Sequence, residues 1–366
     1  MIFDGAIPPH GGQLHRIAEL FGRPVADLLD LSANINPEGP SPLALEALRE
    51  ALKDTSMLKA YPDLEESQLR LAISEYAGVA VEMIAVANGF VPLLDAALRV
   101  FAIGHCLMPV PAFGEYRSAL ERAGVQVTPH ILDQTKDFHY QPDKLLATLR
   151  AGHHDSILLA NPQNPSGVLC EGVTLNKFLE ETAKLNVRVF LDEAFIDYAP
   201  THSMAKQASR FPNLIVFRSV TKFHGCPGLR VAYVVVRSAM ARAIHQTLAP
   251  WAITTLAAVA VRAALADASY SKRMIRLNDD RKGYLVAQLK RLGLTAYPAA
   301  ANFVLIQFRS ANDADRIWKQ LIRGYGIVLR HCGNFAGLAP NHLRCAVLGD
   351  AENTKLLKAL AQILVA

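Results

Sequence analysis

Cysteine is scarce and scattered: the chain has five, Cys106, Cys170, Cys226, Cys332 and Cys345, and no CxxC pair. An odd, widely spaced set excludes a disulfide framework and a thiolate zinc site, and it suits reduced thiols in a cytoplasm. No apolar run reaches the roughly 18 residues that a membrane span needs, so no membrane partner is expected. Basic residues are not gathered either. Lys and Arg total 38 against 33 Asp and Glu, a formal net charge of +5, but no basic block is interleaved with aromatics. A nucleic-acid surface would require such a block. The opening MIFDGAIPPHGGQLHR has an acid at Asp4 and neither the basic nor the apolar segment of a secretory leader, so none is expected. There is no internal repeat and no low-complexity segment.

What is present is an ordinary globular balance, 51% hydrophobic and 19% charged over 366 residues, enough for two domains with proper cores. MIAVA, HCLMPV, VQVTPHIL, SILLA, VRVFLDE, LIVFRS and RVAYVVV, between residues 83 and 236, read as strands, and helical periods such as LLDAALRVF lie between most of them. Apolar strands separated by helices indicate a largely parallel sheet covered on both faces, with ligands at the carboxyl ends of its strands. From about residue 238 the pattern changes to two long helical stretches, 239–267 and 269–292, and then a short α+β tail. The expected division is an arm over 1–40, a large domain over 41–245 and a small domain over 246–366. The arm, rich in Gly, Pro and Asn, must pack on something else.

Three loops fall just past expected strand ends. NPQNPSG, Asn161 to Gly167, follows SILLA. Its prolines fix φ and its glycine permits an unusual turn, so asparagine amides are aimed rigidly; an ordinary connection has the same composition. VRVFLDEAF ends a buried strand in Asp192-Glu193. A carboxylate there is costly without a partner, and a protonated ring nitrogen, a cap or an ion pair would each serve. SVTKFHGCPGLR, Ser219 to Arg230, sets a lone lysine between two apolar strands. An uncharged lysine can hold a carbonyl as an imine. Hydroxyls, backbone amides and an arginine can hold a phosphate. Both needs together point to a phosphorylated aldehyde. ANGFVPLLDAAL adds a glycine turn opening a helix with Pro92 near its start, and the free amides of a helix N-terminus form a phosphate site.

In their order and spacing, with LDEAF about 28 residues after NPQNPSG and SVTKF about 30 beyond that, these loops resemble the fold type I pyridoxal-phosphate enzymes of the aspartate aminotransferase superfamily, essentially from end to end. The resemblance implies an α/β fold: a large domain on a mixed, mostly parallel sheet, a small α+β C-terminal domain, and pyridoxal 5′-phosphate as cofactor. It implies that Lys222 binds the cofactor covalently and shuttles protons, and that Asp192 pairs with the pyridine N–H so the ring can accept electrons. Asn164 would bond the 3′-oxygen, and Phe113, in VPAFGEY, would stack on the ring. Ser219, Thr221, Arg230 and the amides of Gly89 and Phe90 would hold the phosphate. Where the family commonly has polar residues after that glycine, this chain has Phe90 and Val91, which leaves backbone amides only. Tyr61, in AYPDLEESQLR, matches a tyrosine that reaches the phosphate of the neighbouring subunit, which implies a homodimer with shared sites.

Two branches of the superfamily compete: histidinol-phosphate aminotransferases and the threonine-phosphate decarboxylases of cobalamin biosynthesis. HGGQLHRIAELFGRP and LLDLSANINPEGPS resemble the decarboxylase arm, in which His10, Gly11 and Asn34 approach the substrate. LDEAFIDY has Phe195 where the aminotransferases usually carry a tyrosine. LAPWAITTLAA, with Trp251, and the tail GIVLRHCGNFAGLAPNHLRCAVL also resemble the decarboxylases. The tail supplies Arg330 and Arg344, each on a short strand, and two guanidinium forks suit the two anionic groups of O-phospho-L-threonine. By resemblance Arg344 takes the carboxylate side and Arg330 the phosphate side, with Asn164 also near the substrate. The expected reaction is loss of CO2 from this phosphorylated amino acid. A catalytically idle or DNA-binding relative would lack Lys222 or carry a further domain, and this chain begins directly with the arm. His224 is expected to fill an aromatic's place, and His153-His154 to sit in a solvated loop.

Overall fold

The arm supplies β1 (Leu29–Leu31), and the apolar runs of the middle become β2 (Ile84–Ala87), β3 (His105–Val110), β4 (Gln126–Ile131), β5 (Ser156–Ala160), β6 (Arg188–Asp192), β7 (Leu214–Ser219) and β8 (Ala232–Val235). The tail adds β9 (Thr295–Ala296), β10 (Phe303–Gln307), β11 (Ile327–His331) and β12 (His342–Ala346). The computed structural model describes residues 7–365; Asp4, read above for the absence of a leader, and Ala366 lie outside them. Among the described residues the strands form a seven-stranded sheet, β2-β8-β7-β6-β5-β3-β4, and a five-stranded sheet, β1-β11-β12-β10-β9.

In the larger sheet the pairs from β4 through β7 are parallel, and β8 runs antiparallel to both β7 and β2. Alternate residues of β6 enter opposite cores, Val189 and Leu191 on one face and Phe190 on the other. Helices such as Gly172–Lys184 cover the first face and Phe90–Val100 the second. A strand buried on both sides reads as an apolar run, which is why these strands were visible in the sequence. Pro129 is tolerated inside β4 because β4 is an edge strand.

Two local expectations need correction. The stretch 239–267 is two helices, Ser238–Thr247 and Thr255–Ala266. Pro250 lacks the N–H to continue the first, Trp251 turns left-handed at φ 54°, and Thr254 starts the second by accepting the Ala257 N–H at 3.2 Å. The second helix sends Ala257, Val261 and Leu265 into the larger sheet's core, so packing ties residues beyond 246 to the first unit. The arm packs on the rest of the chain as expected: β1 pairs in parallel with β11, and Ile17, Leu28 and Leu31 enter the small sheet's core. His153 is exposed, but His154 is buried with its ring 4.1 Å from that of His105. Gly152 permits this, since a Cβ there would meet His154 Cε1 at 2.1 Å.

His224 is buried beside the rings of Tyr76 and Phe223. The five cysteines are free and buried. Among the described residues no helix is long and apolar enough to cross a membrane.

Candidate active site

The carboxyl ends of the parallel strands and the amino end of β8 open into one cavity of about 710 Å³, roofed by the arm and by β11 and β12. Every residue named above for cofactor or substrate lines it, except Tyr61.

At one end, Ser219 closes β7 with its Oγ 2.7 Å from Thr221 Oγ1. Gly89, just past β2, has φ 97°, and a Cβ there would stand 2.9 Å from Arg230 Nη2, so only glycine lets the guanidinium sit against this turn. Phe90 opens the helix Phe90–Val100 and turns its ring onto Phe217 and Tyr116, with centroids 5.2 and 5.6 Å away. Only its amide is left for the cavity. Two hydroxyls, a helix-start amide and a guanidinium make a donor set for a phosphate.

The NPQNPSG loop sorts its amides. Asn161 spends both ends on Cys170, donating to its carbonyl at 3.1 Å and accepting its N–H at 2.7 Å. Gln163 accepts the Ser166 N–H at 2.9 Å and donates to the Pro111 carbonyl. Of the loop's amide side chains, that of Asn164 lines the cavity. Its Oδ1 accepts from Arg344 Nη1 at 2.6 Å, so the amide's NH2 end is left to donate to an oxygen in the cavity.

The pleat separates the paired acids. Asp192, the last residue of β6, faces the cavity, where its carboxylate accepts the Ala194 N–H at 2.8 Å and the Tyr116 hydroxyl. Burial pushes its carboxyl up to about 6, against the pull of those two hydrogen bonds and of Lys222, so it is ionised at neutral pH. Glu193 turns away, accepting from Met204 N–H and Ser203 Oγ at 2.6 Å each, 3.9 Å from Arg218. Burial pushes Lys222 down to about 8; Arg344 and Arg230 add to the shift and Asp192 opposes it. A useful fraction of its amine is therefore neutral near pH 7.5, the form that attacks a carbonyl.

In the roof, Arg330 and Arg344 are register partners across β11 and β12, so their side chains share a face. Both are buried. Arg330 donates to Pro8 O at 3.1 Å, and to Pro9 O and Asn334 Oδ1 at 2.7 Å each; Arg344 reaches Ser32 O at 3.1 Å besides Asn164. Burial lowers Arg344 to about 10 and moves Arg330 in the same direction. Arg344 Nε and Asn34 Oδ1 are buried without a partner, as donor and acceptor positions awaiting a ligand would be. The arm is sewn to the lysine's own backbone: Asn36 N–H donates to Lys222 O at 3.0 Å, and its amide to Phe223 O at 2.8 Å.

Sequence reasoning missed Tyr116, Glu115 and Asn334. Tyr116 was detectable in VPAFGEY, because helical spacing sets it against Phe113, ring centroids 5.5 Å apart. Tyr61 stands outside the cavity, 80% exposed, with its ring 4.8 Å from that of Trp251.

A lysine tuned toward its neutral form, a carboxylate beneath it and a phosphate cradle at one side are the groups that a pyridoxal phosphate needs, and the cavity fits it. Residues 26–360 match the family described as aminotransferase class I and II, and the chain belongs to that family of pyridoxal-phosphate-dependent enzymes. It is 31% identical over 97% of its length to the threonine-phosphate decarboxylase of Salmonella typhimurium, covering 96% of that protein. It is 30% identical over 98% of its length to the histidinol-phosphate aminotransferase of Methanosarcina mazei, covering 94% of that one. The solved histidinol-phosphate aminotransferase of Sinorhizobium meliloti, in complex with pyridoxal-5′-phosphate, shares its fold with a TM-score of 0.86 at 23% identity, over 99% of this chain and 96% of the other. The expected fold and cofactor hold, and the two branches stand equally near.

Proposed function

We propose that the chain decarboxylates O-phospho-L-threonine to (R)-1-amino-2-propanol O-2-phosphate, a step of cobalamin biosynthesis. The observation that carries this reading is the pair Arg330 and Arg344: two buried cations in register on one face, whose hydrogen bonds go to neutral oxygens. Buried like charges are costly without counterions, and a substrate with two anionic groups supplies both. The apolar ring of Phe195 in the wall and the arm residues His10 and Asn34 beside the arginines support the same choice, as does the likeness to the Salmonella decarboxylase.

In this reading Ser219, Thr221, Arg230 and the amides of Gly89 and Phe90 hold the cofactor phosphate. The Asn164 NH2 would donate to the cofactor's 3′-oxygen, Phe113 would pack on the ring, and the Asp192 carboxylate would keep the ring nitrogen protonated. Bound there, the cofactor supplies a conjugated ring that accepts the electron pair left when a bond to the substrate's α-carbon breaks. Lys222 would hold the cofactor until the substrate's amino group takes its place, and the amine so released would return a proton from Nζ to the α-carbon once CO2 has left. Arg344 takes the substrate carboxylate; Arg330, His10 and Asn34 lie on the phosphoryl side, with Gly11 leaving room for it. Tyr61 completes the site of a neighbouring subunit in a cytoplasmic homodimer.

The second reading, a histidinol-phosphate aminotransferase, rests on the equal likeness to the Methanosarcina enzyme. The test is to supply O-phospho-L-threonine alone and, separately, histidinol phosphate with 2-oxoglutarate. The decarboxylase reading expects CO2 without any keto-acid acceptor. Glutamate from the second mixture with no CO2 from the first would overturn it and establish the second reading.

A further inference from the structure

Glu115 sits awkwardly for an anion-binding cavity. It lines the same space as Arg330 and Arg344, and a bare carboxylate there would repel a phosphorylated substrate. It is not bare: Glu115 Oε1 lies 2.9 Å from His10 Nε2. His10 is in turn held from both sides. Before it, the carbonyls of Pro8 and Pro9 are clamped by the Arg330 fork. After it, Gly11 lies so close to Ser32 that a Cβ would stand 2.1 Å from the Ser32 carbonyl oxygen, and the Gly12 N–H donates to Ser32 Oγ at 2.9 Å. Ser32 Oγ is itself fixed on Asp30 at 2.6 Å. The backbone thus brings one imidazole to one place, and Glu115 fixes the orientation of its ring there.

We propose that Glu115 is a positioning residue for substrate recognition: by accepting from His10 Nε2–H, it turns the other side of the ring to the substrate's phosphoryl group, to which the imidazolium donates from Nδ1–H. This rests on the reading that the substrate is a phosphorylated amino acid or amine. Both partners are about one-third exposed, 38% and 31%, and an ion pair so solvated adds little to stability. Its effect lies in orientation. A histidine with one nitrogen held by a carboxylate has its ring plane set before the ligand arrives, and the carboxylate's charge favours the doubly protonated ring that donates to a phosphoryl oxygen, so less ordering remains to be done on binding. Arg330, with its η nitrogens on the arm, contributes to the same end by fixing the backbone that carries His10.

The proposal makes a prediction of sign. In the wild type Glu115 helps, because it acts through His10. Without the imidazole, Glu115 is only a negative charge facing an anion. The holoenzyme is therefore assayed with O-phospho-L-threonine and with histidinol phosphate plus 2-oxoglutarate, in wild type, Glu115→Gln, His10→Ala and the double variant; cofactor absorbance checks that each is folded and loaded. Glu115→Gln in the wild-type background is expected to raise KM about tenfold, the size of one lost charge-assisted contact, with kcat changed by less than about twofold. In the His10→Ala background the same change leaves KM unaltered or lowers it. A role confined to the start of the helix Gly114–Arg122 would raise KM by the same factor in both backgrounds, and that result, or no change in the wild-type background, overturns the proposal. A wild-type holoenzyme inert toward both substrates would sink the phosphorylated-substrate reading and this inference together. An active wild type with no difference between backgrounds sinks the inference alone.

Discussion

The floor and the roof of the cavity are made differently. Each floor residue lies at or just beyond the end of a strand in one sheet: Gly89 after β2, Asn164 after β5, Asp192 closing β6, Ser219 closing β7. The sheet fixes their spacing, and near neighbours hold two of the side chains, Asp192 by the Ala194 N–H and the Tyr116 hydroxyl, and Ser219 by Thr221. The roof joins the arm to β11 and β12, residues some 320 apart in the chain: Arg330 reaches Pro8 and Pro9, and Arg344 reaches Ser32. A pre-set floor suits a group that stays bound; a roof tied by a few hydrogen bonds suits one that comes and goes. The two meet where Asn36 of the arm bonds to Lys222 O and Phe223 O, at the Asn164–Arg344 hydrogen bond, and in the pressure of Arg344 on the Lys222 ammonium.

The largest expected effect lies in the floor. Lys222→Ala is expected to lower kcat by at least about 10³-fold and to remove the absorbance of the lysine-bound cofactor, while the phosphate donors still retain cofactor non-covalently. Turnover at the wild-type rate would show that the floor does not carry the chemistry.

The next effect tests the separation itself. Arg344→Gln is expected to leave the cofactor spectrum intact and to cut kcat/KM by about 2 kcal/mol or more, as for a lost charge-assisted contact. It should also move the floor. Burial, Arg344 and Arg230 all disfavour the charged form of Lys222, whose pKa is about 8. Removing one cation lets the ammonium persist to higher pH. Cofactor uptake by the apoprotein needs the neutral amine, so its rate rises with pH through about 8 in the wild type and through a higher midpoint in Arg344→Gln. Arg330→Ala is expected to lower kcat/KM comparably and leave that midpoint in place, because Arg330 is not among the charges acting on Lys222. Loss of the cofactor spectrum in either variant would place the arginines in the floor.

The same contrast explains what was legible beforehand. The floor could be read because a doubly covered parallel sheet writes each strand as an apolar run and puts the chemistry in the loop just after it. NPQNPSG, LDEAF and SVTKF are short and continuous. Even there, the sequence did not say that Asn161 would turn into its own loop while Asn164 faced the cavity, since that depends on Cys170 nine residues on. The roof was legible only as a list of residues. That β1 would pair with β11, or that Arg330 and Arg344 would stand opposite each other, depends on register between distant segments, which no local period encodes. The helix break at Trp251 followed from Pro250 and was available to a stricter reading. The burial of His154 against His105 was not.

Tyr61 belongs to neither wall, and it carries the smallest prediction. Its ring is 80% exposed against Trp251, and Leu52, Leu58 and Leu64 nearby in the chain are also exposed. An aromatic hydroxyl outside its own cavity, within a stretch of exposed apolar side chains, suits a residue that completes the site of a second copy. Tyr61→Phe removes only the hydroxyl and leaves the ring on Trp251. It is expected to weaken cofactor binding by about 0.5–1.5 kcal/mol, the worth of one hydrogen bond, or more where the phosphate charge strengthens it. The loss should appear in cofactor titrations of the dimer and vanish on dilution to a monomer, whose cavity has no Tyr61 to lose. A monomer by light scattering that keeps full activity would detach Tyr61 from the site and leave the floor and roof complete within one chain.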